Sequence, residues 1–77
     1  MIINLTSLDQ SLRDAVMHQL EWDPEIDAEL IGVSAQDGVA VLTGYVNSYA
    51  GKLAAERSAR KVFGVKAVVN ELVVKKR

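Results

Sequence analysis

The sequence predicts a small α+β domain with the element order helix, strand, strand, helix, strand. Two segments, residues 8–22 and 48–63, have apolar residues at helical spacing. Three shorter segments alternate apolar with other residues, as strands do: residues 31–35, 39–45 and 65–75. Gly38 and Gly64 stand where a tight turn and a helix end are needed. A helical crossover makes the strands that it joins parallel, so we expect a mixed three-stranded sheet with two helices packed on one face.

The first predicted helix runs from Leu8 to Trp22. Its apolar residues form one stripe with Trp22 at the edge: Leu8, Leu12, Ala15, Val16 and Leu20. Thr6 or Ser7 can cap its first turn by accepting a backbone N–H. The helix should end at Asp23, because the residue before a proline is pushed out of the α region.

The next two segments predict a β-hairpin. Residues 31–35 alternate apolar with small or polar side chains, which is typical of a strand with one buried face. Residues 36–38 make a tight turn in which Gly38 supplies the positive φ. Residues 39–45 return as the second strand, where Gly44 has no side chain and should let a helix approach the sheet.

The second helix is predicted to begin after an Asn47 or Ser48 cap and to continue to about Phe63. Its narrow face, suited to close packing on a sheet, holds mostly small residues: Gly51, Ala55, Ser58, Ala59, Val62 and Phe63. Residues 65–75 form the third strand, and Asn70 on its packed side should hydrogen-bond to backbone.

Length and composition indicate one folded domain. The chain has 77 residues, 49% of them hydrophobic, and no cysteine, so neither disulfides nor thiolate zinc sites can stabilise it. We predict a single domain over 1–77, with a core of about 9–75, an N-terminal extension at 1–7 and a basic tail at 75–77. The N-terminus lacks the features of a signal peptide, which predicts a cytoplasmic protein if Met1 is the natural start. A periplasmic location is the alternative if the chain is excised from a longer one.

Charge is segregated along the chain. Residues 1–37 hold eight acids and one base, a net charge of −7, whereas residues 38–77 hold eight bases and two acids, a net charge of +6. Such asymmetry can indicate an anionic partner for the basic half. Attraction between the two halves of the same domain is the alternative.

The sequence contains no recognisable catalytic, cofactor or metal site. Asp23, Glu25 and Asp27 have the spacing that opens a calcium-binding loop, but Ala28 and Ser34 stand where that loop needs a glycine and a bidentate glutamate. Without cysteine, and with His18 as the single histidine, no activated nucleophile is evident. We therefore expect a non-enzymatic protein that binds no cofactor and no metal.

Two surfaces are candidates for binding. One flank of the second helix combines apolar anchors with bases and suits an anionic bilayer or an acidic protein: Tyr49, Leu53, Arg57, Arg60 and Lys61. The uncovered side of the sheet should be apolar and could contact a neighbouring copy: Val39, Val41, Tyr45, Val69 and Val73. The alternatives are that Tyr49 and Leu53 only pack on the first helix and that strand preference alone selects the valines. Nucleic acid is an unlikely partner because the basic half lacks interleaved aromatic residues.

The ordered pattern resembles the BON domain, a bacterial module named for osmotically inducible and nodulation proteins. The matching stretches cover about residues 9–75: Leu12-x3-Val16-x3-Leu20, residues 23–28 (DPEIDA), Ile31-x-Val33, Asp37-Gly38-x3-Leu42-x-Gly44-x-Val46, Ala55-x3-Ala59 and Val62-x-Gly64-Val65-x2-Val68-x-Asn70-x-Leu72-x-Val74. The resemblance implies an α/β fold, tandem copies, envelope-associated or osmotic-stress proteins and a proposed role in binding phospholipid membranes or other macromolecules. It implies no catalytic residue.

Overall fold

The chain folds in the predicted order in a computed structural model, which describes residues 5–24 and 26–75. Its elements are α1 (Leu5–Glu21), a 3₁₀ turn (Ala28–Leu30), β1 (Ile31–Gln36), β2 (Val39–Val46), α2 (Tyr49–Arg60), β3 (Ala67–Asn70) and β4 (Val73–Val74). Predictions that concern residues 1–4, residue 25 and the end of the basic tail lie outside the described residues.

The sheet is mixed, and β2 is its central strand. It pairs antiparallel with β1 and parallel with both β3 and β4. The final strand, predicted as one, is divided into β3 and β4, but both keep the same register, with Val39 opposite Ala67 and Tyr45 opposite Val73. The α+β fold is therefore confirmed, with a sheet of four strands instead of three.

Both helices cover one face of this sheet, and the core lies between them and β2. Its buried side chains come from α1, β1, β2, α2 and two connecting segments: Val16, Leu20, Ile26, Ile31, Ala40, Leu42, Val46, Ala54, Ala55, Ala59 and Leu72. The Ser58 hydroxyl, also buried, donates a hydrogen bond to the Asp23 carboxylate at 3.0 Å and ties α2 to the segment after α1. Small residues on α2 bring that helix close to the sheet, as the sequence predicted.

Helix ends differ from the predictions in two places. The predicted cap at Thr6 or Ser7 is wrong, because α1 begins at Leu5 and both residues lie inside it. Ser48 does cap α2, accepting a hydrogen bond from the Gly51 N–H at 3.1 Å. However, α2 ends at Arg60, and the prediction that Phe63 lies on its packed face is wrong.

Two sites in the hairpin need an unusual backbone. Asp37 and Gly38 both have positive φ, +52° and +83°, as a two-residue turn between antiparallel strands requires. Gly44 has a φ of +109°, and a Cβ there would collide with the carbonyl oxygen of Leu30. The backbone that enters β1, and not a helix as predicted, therefore approaches the sheet at Gly44.

Candidate functional site

The predicted residues of the second helix share one exposed side, which we call the α2 surface (Tyr49, Leu53, Arg57, Arg60 and Lys61). Tyr49 is 63% exposed and Leu53 is 44% exposed. The two residues are four positions apart and therefore share one side of the helix. The buried residues of α2, which include Ala55 and Ala59, lie on the other side. Burial of these two side chains against α1, the alternative to a binding surface, is therefore not observed.

The α2 surface is basic. Arg57 and Arg60 lie in the last turn of the helix and Lys61 follows it, so the three bases also lie where the helix dipole favours positive charge. Glu56 shares this side of the helix and forms an ion pair with Arg60 at 3.4 Å. Three bases against one acid leave a net charge of +2.

The uncovered side of the sheet, which we call the sheet face (Val39, Val41, Tyr45, Val69 and Val73), has a different arrangement. Its apolar side chains pair across adjacent strands, Val41 with Val69 and Tyr45 with Val73. Tyr45, Val69 and Val73 are exposed, and Val39 and Val41 are partly so. The Lys75 ammonium lies 5.0 Å from the centre of the Tyr45 ring. The sheet face thus holds two apolar cross-strand pairs, separated by Thr43 and Glu71, with a base at one end.

The two surfaces lie on opposite sides of the domain. α2 packs on the covered face of the sheet with its small residues, and its exposed side points away from the sheet. The structure therefore brings each predicted set of residues together, but it does not join the two sets into one site.

Neither of the two ion pairs that the structure shows among its described residues joins the acidic half of the chain to the basic half. Arg13 pairs with Asp14 at 3.2 Å and Arg60 pairs with Glu56 at 3.4 Å, and each pair lies within one half of the chain. Both pairs are exposed and contribute little to stability. These two ion pairs therefore do not account for the segregation of charge between the two halves.

Features typical of catalytic or metal sites are absent from residues 5–24 and 26–75. These residues contain no group of three or more acidic or histidine side chains that could hold a metal ion. Their buried side-chain nitrogen and oxygen atoms all have hydrogen-bond partners, so no buried polar group awaits a ligand. His18 accepts a hydrogen bond from the Trp22 indole at 2.7 Å on the exposed end of α1. In the described part of the chain, no helix is long and apolar enough to cross a bilayer.

The sequence did not reveal a third surface, a cleft of about 510 Å³ between α1, the hairpin turn and the loop after α2. Leu8, Leu12 and Phe63 line it, together with Lys66. No local sequence signal identifies this cleft, because it forms only where three separate segments of the chain meet in space.

Comparison with protein families identifies the family of this chain. No curated protein matches the chain. The BON domain family matches residues 8–76, which include every strand and nearly all of both helices. The chain therefore belongs to the BON domain family, a family of binding modules.

Proposed function

We propose that this BON domain is a non-enzymatic module that binds anionic phospholipid surfaces through the α2 surface. The observation that carries the proposal is the exposure of Tyr49 and Leu53 about one to three turns from Arg57 and Arg60, on a helix whose other side is buried. Amphipathic side chains of this kind place apolar groups in the headgroup region and bases against lipid phosphates.

The expected binding energy combines two contributions. Each base near an anionic membrane contributes about 1 kcal/mol at moderate salt. Burying the exposed part of a tyrosine and a leucine adds about 25 cal/mol for each Å² of apolar surface removed from water. Together these support reversible attachment, and membership of the family supports a place in an envelope or osmotic-stress setting.

Vesicle co-sedimentation tests this proposal. The domain should pellet with vesicles of phosphatidylglycerol and phosphatidylcholine, and much less with phosphatidylcholine alone. Arg57→Glu with Arg60→Glu should weaken the binding by about 30-fold or more, since two attractive charges are each worth about 1 kcal/mol.

A matched variant controls for net charge. Arg13→Glu with Lys75→Glu changes the net charge by the same amount, but Arg13 lies beside β1 and Lys75 lies beside the Tyr45 ring, away from the α2 surface. It should weaken binding to anionic vesicles far less. Equal losses in the two variants, or no pelleting of the wild-type chain at low salt, would exclude the α2 surface as a lipid site.

A second candidate function is protein association through the sheet face, with a neighbouring copy of the domain or another protein. The observation that favours it is the in-register pairing of Val41 with Val69 and Tyr45 with Val73 in an exposed band. Light scattering over a concentration series tests the self-association form. A species larger than a monomer that Val41→Lys dissociates would support it, and a strict monomer unaffected by Val41→Lys would remove it.

A further inference from the structure

The loop after α2 holds a phenylalanine entirely in solvent. Phe63 has a relative exposure of 101%. The loop is ordered by hydrogen bonds, from the Lys61 N–H to Ser58 and from the Val65 N–H to Val62, both at 3.2 Å. Val62 packs against the core. The backbone therefore holds the Phe63 ring outward, and its exposure does not come from a loose loop.

Phe63 stands beside the cleft, whose floor is apolar. Leu8, Leu12 and Ala15 of α1 line it, and Leu8 is itself 61% exposed. A volume of about 510 Å³ lies within the range of pockets that bury a small ligand, so it can accept an aromatic side chain. The exposed ring and the apolar cleft thus occupy the same patch.

Hydrogen bonds hold the walls of the cleft. The Asp37 N–H donates to the Asp9 carboxylate at 3.2 Å, which joins the hairpin turn to α1. The Lys66 N–H donates to the Gly38 carbonyl at 2.7 Å, which joins the same turn to the segment before β3. The cleft is therefore formed without a ligand.

We propose that this cleft is the contact surface for a second copy of the chain, in a two-fold dimer in which Phe63 of each copy enters the cleft of the other. In a two-fold contact the same patch meets itself, so it must contain both the projecting group and the recess that receives it. This patch contains both. The proposal is independent of the lipid and sheet-face proposals, because it uses none of their residues.

The charges around the cleft select a second copy over other partners. Asp9 and Asp37 line the cleft from α1 and from the hairpin turn, and the Lys66 side chain lies over Gly38, next to Asp37. The patch therefore carries both signs of charge, so Lys66 of each copy can pair with acids of the other in a two-fold contact, whereas a patch of one sign would repel itself. With two acids and one base, the lining also opposes an anionic bilayer.

Sedimentation equilibrium and a heteronuclear NMR dilution series of the whole chain test the dimer. The wild-type chain should approach twice the monomer mass as concentration rises, with shifts confined to residues 8–15, 37–38 and 63–66. Phe63→Ser should raise the dimer dissociation constant by at least about tenfold, since burial of two aromatic rings is lost. The control Tyr49→Ser removes another exposed ring and should change that constant by less than about twofold.

A charge variant tests the second half of the proposal. Lys66→Glu places a third acid at the cleft and should raise the dissociation constant by about tenfold, because like charges then face each other. Phe63 is fully exposed in the single chain, so Phe63→Ser should leave the thermal unfolding temperature unchanged at concentrations where the wild-type chain is monomeric. A chain that stays monomeric up to about 1 mM, a dimer that Phe63→Ser leaves intact, or a dimer that only Val41→Lys dissociates would overturn the proposal.

Discussion

The α2 surface and the sheet face contain similar side chains in different arrangements. On the α2 surface, Tyr49 and Leu53 project from a helix and bases follow within two turns. On the sheet face, apolar side chains of adjacent strands pair in register, and the base that lies over the Tyr45 ring is Lys75. The first surface mixes anchors with several bases, whereas the second holds two cross-strand apolar pairs separated by Thr43 and Glu71.

This difference shows why composition alone does not identify a partner. A lipid headgroup layer is charged and deformable, so it accommodates separate anchors among bases. A folded protein presents a fixed surface, so an apolar band is most useful when a complementary flat surface covers it. The same tyrosines, aliphatic residues and bases therefore suit different partners according to the element that presents them.

The largest expected effect concerns the two sides of β2. Leu42 is fully buried under the helices, and Val41 is its neighbour on the sheet face. Leu42→Ala should lower the free energy of unfolding by about 2–5 kcal/mol, because it leaves a cavity in the core. Val41→Ala should lower it by less than about 1 kcal/mol. Urea unfolding measures both, and similar losses would mean that the sheet face belongs to the core.

The next largest effect separates the two surfaces in lipid binding. Tyr49→Ser with Leu53→Ser removes both anchors and should weaken binding to anionic vesicles by about tenfold or more, as expected for lost apolar burial. The matched pair Val69→Ser with Val73→Ser removes apolar groups from the sheet face and should change vesicle binding by less than about twofold. Co-sedimentation of both double variants over the same series of lipid concentrations gives the comparison. A larger loss in the sheet-face pair would reverse the assignment.

A smaller effect comes from ionic strength. Raising salt from about 0.05 M to about 0.5 M shortens the Debye length and should weaken vesicle binding several-fold, because the bases of the α2 surface are exposed. Association through the sheet face should change little, since apolar burial is not screened. Vesicle pelleting and light scattering across the same salt series provide the comparison. Salt-independent vesicle binding would contradict a role for Arg57 and Arg60.

The smallest effect concerns the base at the end of the sheet face. Lys75→Ala removes the ammonium that lies 5.0 Å from the Tyr45 ring centre. The loss of an exposed cation–π contact should lower the free energy of unfolding by about 0.5–1 kcal/mol. In a Tyr45→Leu background the same substitution should have almost no effect, and a double-mutant cycle by thermal unfolding measures the difference. Equal effects in both backgrounds would show that Lys75 does not act through the ring.

The fold was largely predictable because local signals agreed with one another. Three local signals each specify one geometry, and the folded domain has the same geometry at each of them. They are the alternation in residues 31–46, the turn at Gly38 and the Ser48 cap. Asn70 was expected to bond to backbone, and it does so with the Lys52 carbonyl at 2.9 Å and the Leu72 N–H at 3.1 Å. Membership of the BON family, first indicated by the same pattern, is confirmed over residues 8–76.

Errors arose where long-range packing decides the outcome. A helical pattern through Phe63 does not show that α2 stops at Arg60, three residues earlier. A glycine in a strand signals close approach, but the sequence cannot identify the approaching group, which at Gly44 is the Leu30 carbonyl. The cleft beside Phe63 depends on three separate segments meeting in space, and no local pattern describes it.

The interruption between β3 and β4 has a mechanical consequence. Asn70 stands at that interruption and connects the Lys52 carbonyl of α2 to the Leu72 amide of the sheet edge through a single side chain. The first turn of the helix is thereby joined to the interruption in the strand. Any displacement of α2 along the sheet would therefore have to break these two hydrogen bonds as well as the packing of its small residues.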